Sequence, residues 1–286
     1  MRRFLPVAAL LVLASCAFGT GPDFIDDEVS GHVIHATIEK GSCPDETKVY
    51  ADENLRVLWN AGDLITFFNK SAYNYQYRFL GQDGDNGGDF EKISPNVLHT
   101  GTELSYNYAV YPYSAATKVS NSGDISLTLP AEQAYRADSF GVGANTMVAV
   151  STDDFLGFRN VCGYFCLRLY GKNRVGRVTL QGRNGEKIAG PAKVTIPLDG
   201  VPTVTMGDDA TETVSIVCDP PVILDKDAAH YTSFWFVLPP VRFSEGFTVT
   251  LEDSDGSVIF SGSMSSDYTV VRNRLDWMEA QKIDAD

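Results

Sequence analysis

Three carboxylates lie close together in one glycine-rich stretch of the chain: Asp83, Asp85 and Asp89. Carboxylates clustered on a tight loop are the ligands that a hard cation such as Ca²⁺ prefers. Asp83 and Asp85 match the first and third positions of an EF-hand loop, but Gly87 and Ser94 stand at the fifth and twelfth positions, where that loop has oxygen side chains. The same composition is typical of an acidic hairpin turn in solvent, and we favour that interpretation over a weak Ca²⁺ site.

Motifs of nucleophilic, metal-dependent and phosphate-transferring enzymes are absent from the sequence. It contains no Gly-x-Ser-x-Gly, no His-Glu-x-x-His and no phosphate-binding glycine loop. The acidic pairs at 153–154 and 208–209 could serve glycoside hydrolysis, but a chain with 37 acidic residues contains such pairs without any function. His32 and His35 have an odd separation, so on one strand they face opposite sides and cannot share a metal ion. From these residues we therefore predict no catalytic site and no cofactor.

The N-terminus combines positive charge, a short apolar segment and a cysteine that follows small residues. Two arginines precede the apolar run Phe4 to Leu13, which is shorter than the ~20 residues of a membrane-spanning helix. Leu13-Ala14-Ser15-Cys16 then matches the lipobox of bacterial lipoproteins, in which the cysteine becomes the new N-terminus and carries acyl chains. The alternative is an ordinary secretory peptide with an incidental cysteine. We predict a signal peptide at 1–15 and a lipid on Cys16 that anchors the chain to a membrane.

The charge of the chain argues against nucleic acid and anionic lipid head groups as partners. The formal net charge is −14, which repels the phosphates of nucleic acid and anionic lipid head groups. The length of 286 residues and the 44% hydrophobic composition allow packed cores and suggest about two domains. No apolar run after residue 16 reaches the length of a membrane span. Because a signal peptide precedes it, we expect the remainder of the chain to be exported.

Four cysteines follow the lipobox. Cys162 and Cys166 lie four residues apart on one predicted strand, which separates them by about 13 Å at ~3.3 Å per residue, beyond the ~7 Å reach of a disulfide. They cannot pair with each other there, and we predict buried free thiols. The sequence leaves the state of Cys43 and Cys218 open.

Short strands are predicted along almost the entire chain after an acidic tether at 16–28. The clearest is 73–79, where aromatic and polar residues alternate with the period of a half-buried strand. Only Leu275 to Lys282 has a mild helical pattern. Many short strands separated by turns indicate antiparallel β-sandwiches, and two series of strands predict domains at 29–156 and 157–286. The predicted strands are 33–38, 56–59, 64–68, 73–79, 106–113, 125–129 and 146–150 in the first series, and 161–169, 177–181, 192–196, 213–217, 231–238, 247–251, 258–260 and 268–271 in the second.

Several motifs of the chain have a recognisable order and spacing: Thr47-Lys48-Val49-Tyr50 with 57–65, 108–113, 160–163 with 178–180 and 186–190, 237–240 and 271–275. Together they resemble the fimbrillin-like lipoproteins of the Bacteroidales, the subunits of type V pili. The resemblance covers about residues 45–276 and implies an all-β chain of two tandem antiparallel Greek-key β-sandwich domains of transthyretin-like type. It also implies a structural, tip or anchor subunit of surface fimbriae at the outer membrane, without enzymatic activity, whose partners are other fimbrial subunits or host and bacterial surface ligands.

The resemblance also implies a processing site. In stalk subunits of that family, a protease that cuts after arginine removes the lipidated N-terminal strand, and a strand from another subunit fills the groove. No arginine lies between Cys16 and Leu55, so Arg56 is the first available site. Cleavage there would release 16–56 with the strand at 33–38. The alternative is an exposed strand-end arginine, and anchor subunits of the family keep their lipid.

Two other functions fit the same composition. A surface glycan-binding lipoprotein would need a flat platform of exposed aromatic side chains, which Trp59, Trp235 and Trp277 could supply. A Ca²⁺-stabilised adhesin would use the acidic loop with Asp83, Asp85 and Asp89.

Overall fold

The computed structural model describes residues 31–41, 57–95 and 103–283. This part of the chain is all-β and contains no helix, which confirms the predicted fold class. It therefore includes no helix long and apolar enough to cross a membrane. The strands are β1 (Val33–Ile38), β2 (Leu64–Phe68), β3 (Tyr75–Phe79), β4 (Gly87–Lys92), β5 (Asn107–Tyr111), β6 (Lys118–Val119), β7 (Ile125–Leu129), β8 (Glu132–Arg136), β9 (Ser139–Phe140), β10 (Met147–Ser151), β11 (Phe155–Asn160), β12 (Gly163–Gly171), β13 (Arg174–Gly182), β14 (Gly190–Thr195), β15 (Thr203–Met206), β16 (Thr213–Ile223), β17 (Thr232–Leu238), β18 (Val241–Phe243), β19 (Phe247–Glu252), β20 (Val258–Met264), β21 (Tyr268–Val270), β22 (Leu275–Trp277) and β23 (Gln281–Ile283).

Seven strands between residues 33 and 160, which we call the first half, close into a barrel. Their order is β1-β11-β10-β5-β2-β3-β4, and β4 pairs back to β1. All neighbours in this barrel are antiparallel except β1 and β11, which run parallel. A closed barrel differs from the open sandwich that the strand pattern predicts. The reason is that β1 bridges the two edges that the sheet would otherwise leave unpaired.

The second half forms further sheets that also recruit strands from the first half. The largest has the order β20-β19-β13-β16-β8-β9, and another has the order β15-β14-β7-β6. In these sheets β8 runs parallel to β16, and β7 runs antiparallel to β14. The predicted domain boundary between residues 156 and 157 lies inside β11, a barrel strand.

A third sheet separates two hydrophobic cores. It consists of β17, β12 and β22, with β23 also on β12. Tyr164 and Cys166 of β12 pack into the core of the barrel half, whereas Phe165, Leu167 and Leu169 pack into the core of the second half. Because successive side chains of a strand point to opposite faces, this one sheet supplies a wall to both cores.

Most of the strand predictions agree with the structure. Each predicted strand from residue 64 onward overlaps an observed one, and the side chains of Tyr75, Tyr77 and Phe79 are buried on one face of β3. The mild helical pattern at 275–282 does not produce a helix. Strands β22 and β23 lie there instead, and both pair in parallel with β12. Their tertiary pairing outweighs the local spacing of apolar residues.

Cys162, Cys166 and Cys218 are buried free thiols, while Cys43 lies outside the described residues. Burial raises the pKa of the Cys162 and Cys166 thiols to about 12. It raises that of Cys218 to about 11. At neutral pH these thiols are therefore protonated, and thiolate chemistry is suppressed.

Candidate functional site

Strand β1 lies in the barrel wall between β4 and β11, and both of its edges are hydrogen-bonded. Toward β11, the amide of His35 donates to the carbonyl of Asp154 at 2.9 Å, and the amide of Glu39 donates to that of Phe158 at 3.0 Å. Toward β4, the amide of Ile38 donates to the carbonyl of Asn86 at 3.0 Å. We call the groove between β4 and β11, which residues 32–40 occupy, the β1 slot.

The inward side chains of β1 fill the barrel core. Ile34, Ala36 and Ile38 are 1%, 0% and 5% exposed. Each isoleucine contributes roughly 1.5–3 kcal/mol of burial free energy, so the apolar side of the slot holds its strand strongly. The alternation of these three residues with more exposed ones matches the period of a strand that is buried on one face.

Two glycines of β4 lie opposite β1, and one of them sets how closely β1 approaches. Gly87 lies opposite Thr37, and Gly88 lies opposite Ala36. A methyl group on Gly87 would stand 2.9 Å from the carbonyl oxygen of Ala36 in β1, whereas one on Gly88 would meet the ring of Phe79 in β3 at 2.9 Å. The slot is therefore too narrow at Gly87 for a larger residue in β4.

A charged pair closes the C-terminal end of the slot. The guanidinium of Arg272 donates from both terminal nitrogens to the carboxylate of Glu39, at 3.2 Å for Nη2 to Oε2. The backbone amide of Asn160 donates to Glu39 Oε1 at 2.5 Å. Asn273 Nδ2 donates to the carbonyl oxygen of Lys40 at 2.7 Å. We call Arg272, Asn160 and Asn273 the clamp.

The N-terminal end of the slot is held by a histidine. His32 Nδ1 lies 2.7 Å from the hydroxyl of Tyr77, and His32 Nε2 lies 3.3 Å from Asp154 Oδ2. Burial is the main cause that raises the pKa of the Tyr77 hydroxyl, so the phenol stays protonated. His35 instead hydrogen-bonds Asp89 at 2.9 Å on the outer surface. The two histidines thus have separate partners.

The acidic loop does not gather its carboxylates around one point. Asp83 Oδ1 accepts from the amide of Ala61 at 2.7 Å, Asp85 Oδ2 accepts from the amide of Gln82 at 2.8 Å, and Asp89 contacts His35. Across 31–41, 57–95 and 103–283, no group of three or more potential ligands could hold a metal ion.

Cys16 and Arg56, the predicted lipid and processing sites, lie outside the described residues. The described part of the chain continues from Val57, whose side chain is only 4% exposed. A cavity of about 370 Å³ opens beside it, and Trp59, Tyr111 and Arg136 are among the residues that line it.

The tryptophans do not form a flat exposed platform. Trp59 and Trp235 are buried at 1% and 9% exposure. Trp277 is half-buried, and the guanidinium of Arg168 lies 4.9 Å from its ring centre. This geometry disfavours the glycan-binding alternative.

Sequence reasoning missed the clamp and both strands that flank the slot, since β4 includes Asp89 of the predicted acidic loop and β11 was not predicted. Glu39 and Arg272 are 233 residues apart, and no local pattern connects them. One signal was nevertheless present, because Asn160, Arg272 and Asn273 all lie in motifs that carry the family resemblance.

Comparisons with solved structures find weakly similar chains from Bacteroides. No protein-family model and no curated protein sequence matches it. A Bacteroides ovatus structure provisionally named as a cell adhesion protein is similar at 14% identity and a TM-score of 0.45, over 87% of this chain and 90% of that one. A similarly named Bacteroides uniformis structure has 15% identity and a TM-score of 0.43, over 86% and 90% of the two chains.

A Bacteroides ovatus fimbrial protein is also similar, at 12% identity and a TM-score of 0.37, over 87% of this chain and 50% of that one. These names agree with the resemblance to Bacteroidales fimbrillin-like lipoproteins, and they describe adhesion and fimbrial proteins rather than enzymes. Because the TM-scores lie below 0.5, we base the functional proposal on the β1 slot.

Proposed function

We propose that this protein is a fimbrial subunit at the cell surface that assembles with other subunits by exchange of the strand in the β1 slot. The observation that carries the proposal is the position of β1. It is a fully paired barrel strand near the N-terminus, and the chain that joins it to the remainder of the barrel includes Arg56. One cut after Arg56 would leave β1 held by non-covalent contacts alone.

Loss of β1 would create a strong binding site for another strand. The facing edges of β4 and β11 would lose their hydrogen-bond partners, and the apolar core behind Ile34, Ala36 and Ile38 would be opened to water. An extended segment from another subunit could restore both, through main-chain hydrogen bonds and alternating side-chain contacts. Such exchange needs no cofactor and no catalytic residue in this protein.

The lipid on Cys16 fits the same scheme. While the chain is intact, the lipid anchors the protein at the outer membrane. After a cut at Arg56, the lipid would leave with residues 16–56, and the remaining body could enter a fimbrium. An anchor subunit would instead remain uncut and keep both the lipid and β1.

The N-terminus of the protein in assembled fimbriae tests the proposal. We expect chains from surface fimbriae to begin at Val57, and the variant R56Q to stay acylated on Cys16 and outside the polymer. Lys48 supplies the control, because K48Q removes a positive charge from the same stretch without touching the arginine. Fimbriae built from uncut chains with acylated Cys16 would show that the subunit does not assemble by strand exchange at this slot.

A further inference from the structure

At the C-terminal end of the β1 slot, the clamp binds the carboxylate of Glu39. The side chains of Arg272 and Glu39 are only 18% and 21% exposed, so little water is available to replace either partner. Glu39 accepts from the guanidinium of Arg272 and from the backbone amide of Asn160. Charge-assisted hydrogen bonds of this kind are stronger than neutral ones, and the planar guanidinium selects a carboxylate by its geometry.

The clamp is held in place by residues that do not belong to β1. Arg272 Nη1 also donates to the carbonyl oxygen of Asn160 at 2.8 Å, and Asn160 Nδ2 donates to Asn273 Oδ1 at 2.6 Å. Asn145 Nδ2 donates to Asn160 Oδ1 at 2.7 Å, and the Tyr164 hydroxyl donates to Asn145 Oδ1 at 3.1 Å. Asn145, Asn160 and Tyr164 are each at most 1% exposed. None of these four hydrogen bonds involves a residue of β1, so the residues outside the strand orient the clamp.

Removal of β1 would leave the clamp with unmet interactions. Arg272 would lose the carboxylate of Glu39, and the amide of Asn160 would lose its acceptor. A partly buried charge that loses its partner is costly, and a neutral side chain at the same place would not compensate it. A replacement strand that brings its own carboxylate would restore both contacts.

We propose that the β1 slot selects strands whose last inward apolar residue is followed directly by a carboxylate. The partner is an extended segment of another subunit with a large apolar residue, a small one and a large apolar one at alternating positions, as in Ile34, Ala36 and Ile38, and then Glu or Asp. This inference rests on the proposed strand exchange and adds the feature by which the slot identifies its partner. The central, small residue of this pattern is Ala36, which is fully buried opposite Gly88.

Within the described residues, the strand that most resembles this pattern is already paired on both edges. Strand β19 repeats much of the pattern, with Phe247, Val249, Leu251 and then Glu252. It is paired with β13 on one edge and with β20 on the other, so it is not available to fill a slot.

Peptide exchange on the full-length chain tests this selection. The chain is cut after Arg56 with an arginine-specific protease, so that the N-terminal segment stays bound, and a fluorescent peptide with the sequence of residues 31–41 is added in excess. Peptides with E39Q and with the double change E39K/K40E are compared with the native one. The double change keeps the composition and net charge, so it controls for general electrostatic attraction, while it moves the carboxylate by one residue and places an ammonium at position 39. The E39Q peptide removes the charge at that position without adding a positive one.

We expect both altered peptides to bind on the order of tenfold or more weakly than the native peptide, which is the scale of hydrogen bonds to a charged group. In the variant R272Q, the native and E39Q peptides should bind alike. Equal binding of all three peptides to the native protein would overturn the carboxylate selection while supporting strand exchange. Failure of every peptide to enter the slot would overturn strand exchange itself, and the selection with it.

Discussion

Thr37 shows how single residues set the fit of β1 in its slot. It lies opposite a glycine on each side, Gly87 in β4 and Gly157 in β11. The two glycines have different surroundings. A methyl group on Gly87 would stand 2.9 Å from the carbonyl oxygen of Ala36 and 2.9 Å from the Thr37 side chain, whereas one on Gly157 would have no atom within 4 Å.

These surroundings predict opposite effects for the same substitution. We expect G87A to destabilise the protein by about 1–3 kcal/mol, because overpacking must push β1 away from β4. G157A is the matched control, and we expect it to be neutral or to stabilise by roughly 0.4–1 kcal/mol, because it restricts the unfolded chain. Urea denaturation measures both. Equal effects of the two variants would show that β1 does not approach β4 this closely.

At the scale of the secondary-structure element, β17 shows how a free strand edge is covered. One edge of β17 pairs with β12, and the other faces Gln133. The Gln133 side chain donates from Nε2 to the carbonyl oxygen of Val237 at 2.8 Å and accepts from the amide of Val237 at 3.0 Å. Its amide group thus pairs with the backbone as a neighbouring strand would. A strand edge covered in this way is closed to the addition of another chain.

Removal of this side-chain amide should weaken the edge. Gln133 is 3% exposed, so Q133A would leave two buried backbone groups without their partner, and we expect a loss of about 1–3 kcal/mol of stability. Q181A is the control, because Gln181 lies on β13 with its side chain exposed. The midpoints of urea unfolding compare the two variants. If both lowered the midpoint equally, the amide of Gln133 would not be protecting β17.

Many of the strands follow from local sequence, but β4 and β11 do not, and neither do the pairings between strands. Alternation of aromatic and polar residues is enough to place β3, since burial on one face imposes a period of two. The segment at 275–282 has a mild helical pattern, because Leu275 and Met278 are three residues apart. It nevertheless forms strands, because it pairs with β12, which lies about a hundred positions earlier in the chain. The clamp is hidden for the same reason, since a contact over 233 residues leaves no local pattern.

At the scale of the whole molecule, the two halves share structural elements. Strands β7 and β8 belong to the first half of the sequence but complete sheets of the second, by pairing with β14 and β16. The sheet of β12 and β17 forms a wall of both cores, with Tyr164 on one face and Phe165 on the other. Neither half can thus bury its apolar surface without the other.

We therefore expect the chain to unfold in one cooperative transition, although its sequence predicts two domains. Fluorescence and circular dichroism should give the same urea midpoint, and the calorimetric and van't Hoff enthalpies should agree. A fragment of residues 29–156 would cut β11 after two residues and leave β7 and β8 without their partners in the second half, so we expect it not to fold. The fragment 157–286 should fail as well, because one face of β12 would be exposed to water. Two separate transitions, or a folded fragment with dispersed amide resonances, would instead show that the shared strands are secondary to two independent cores.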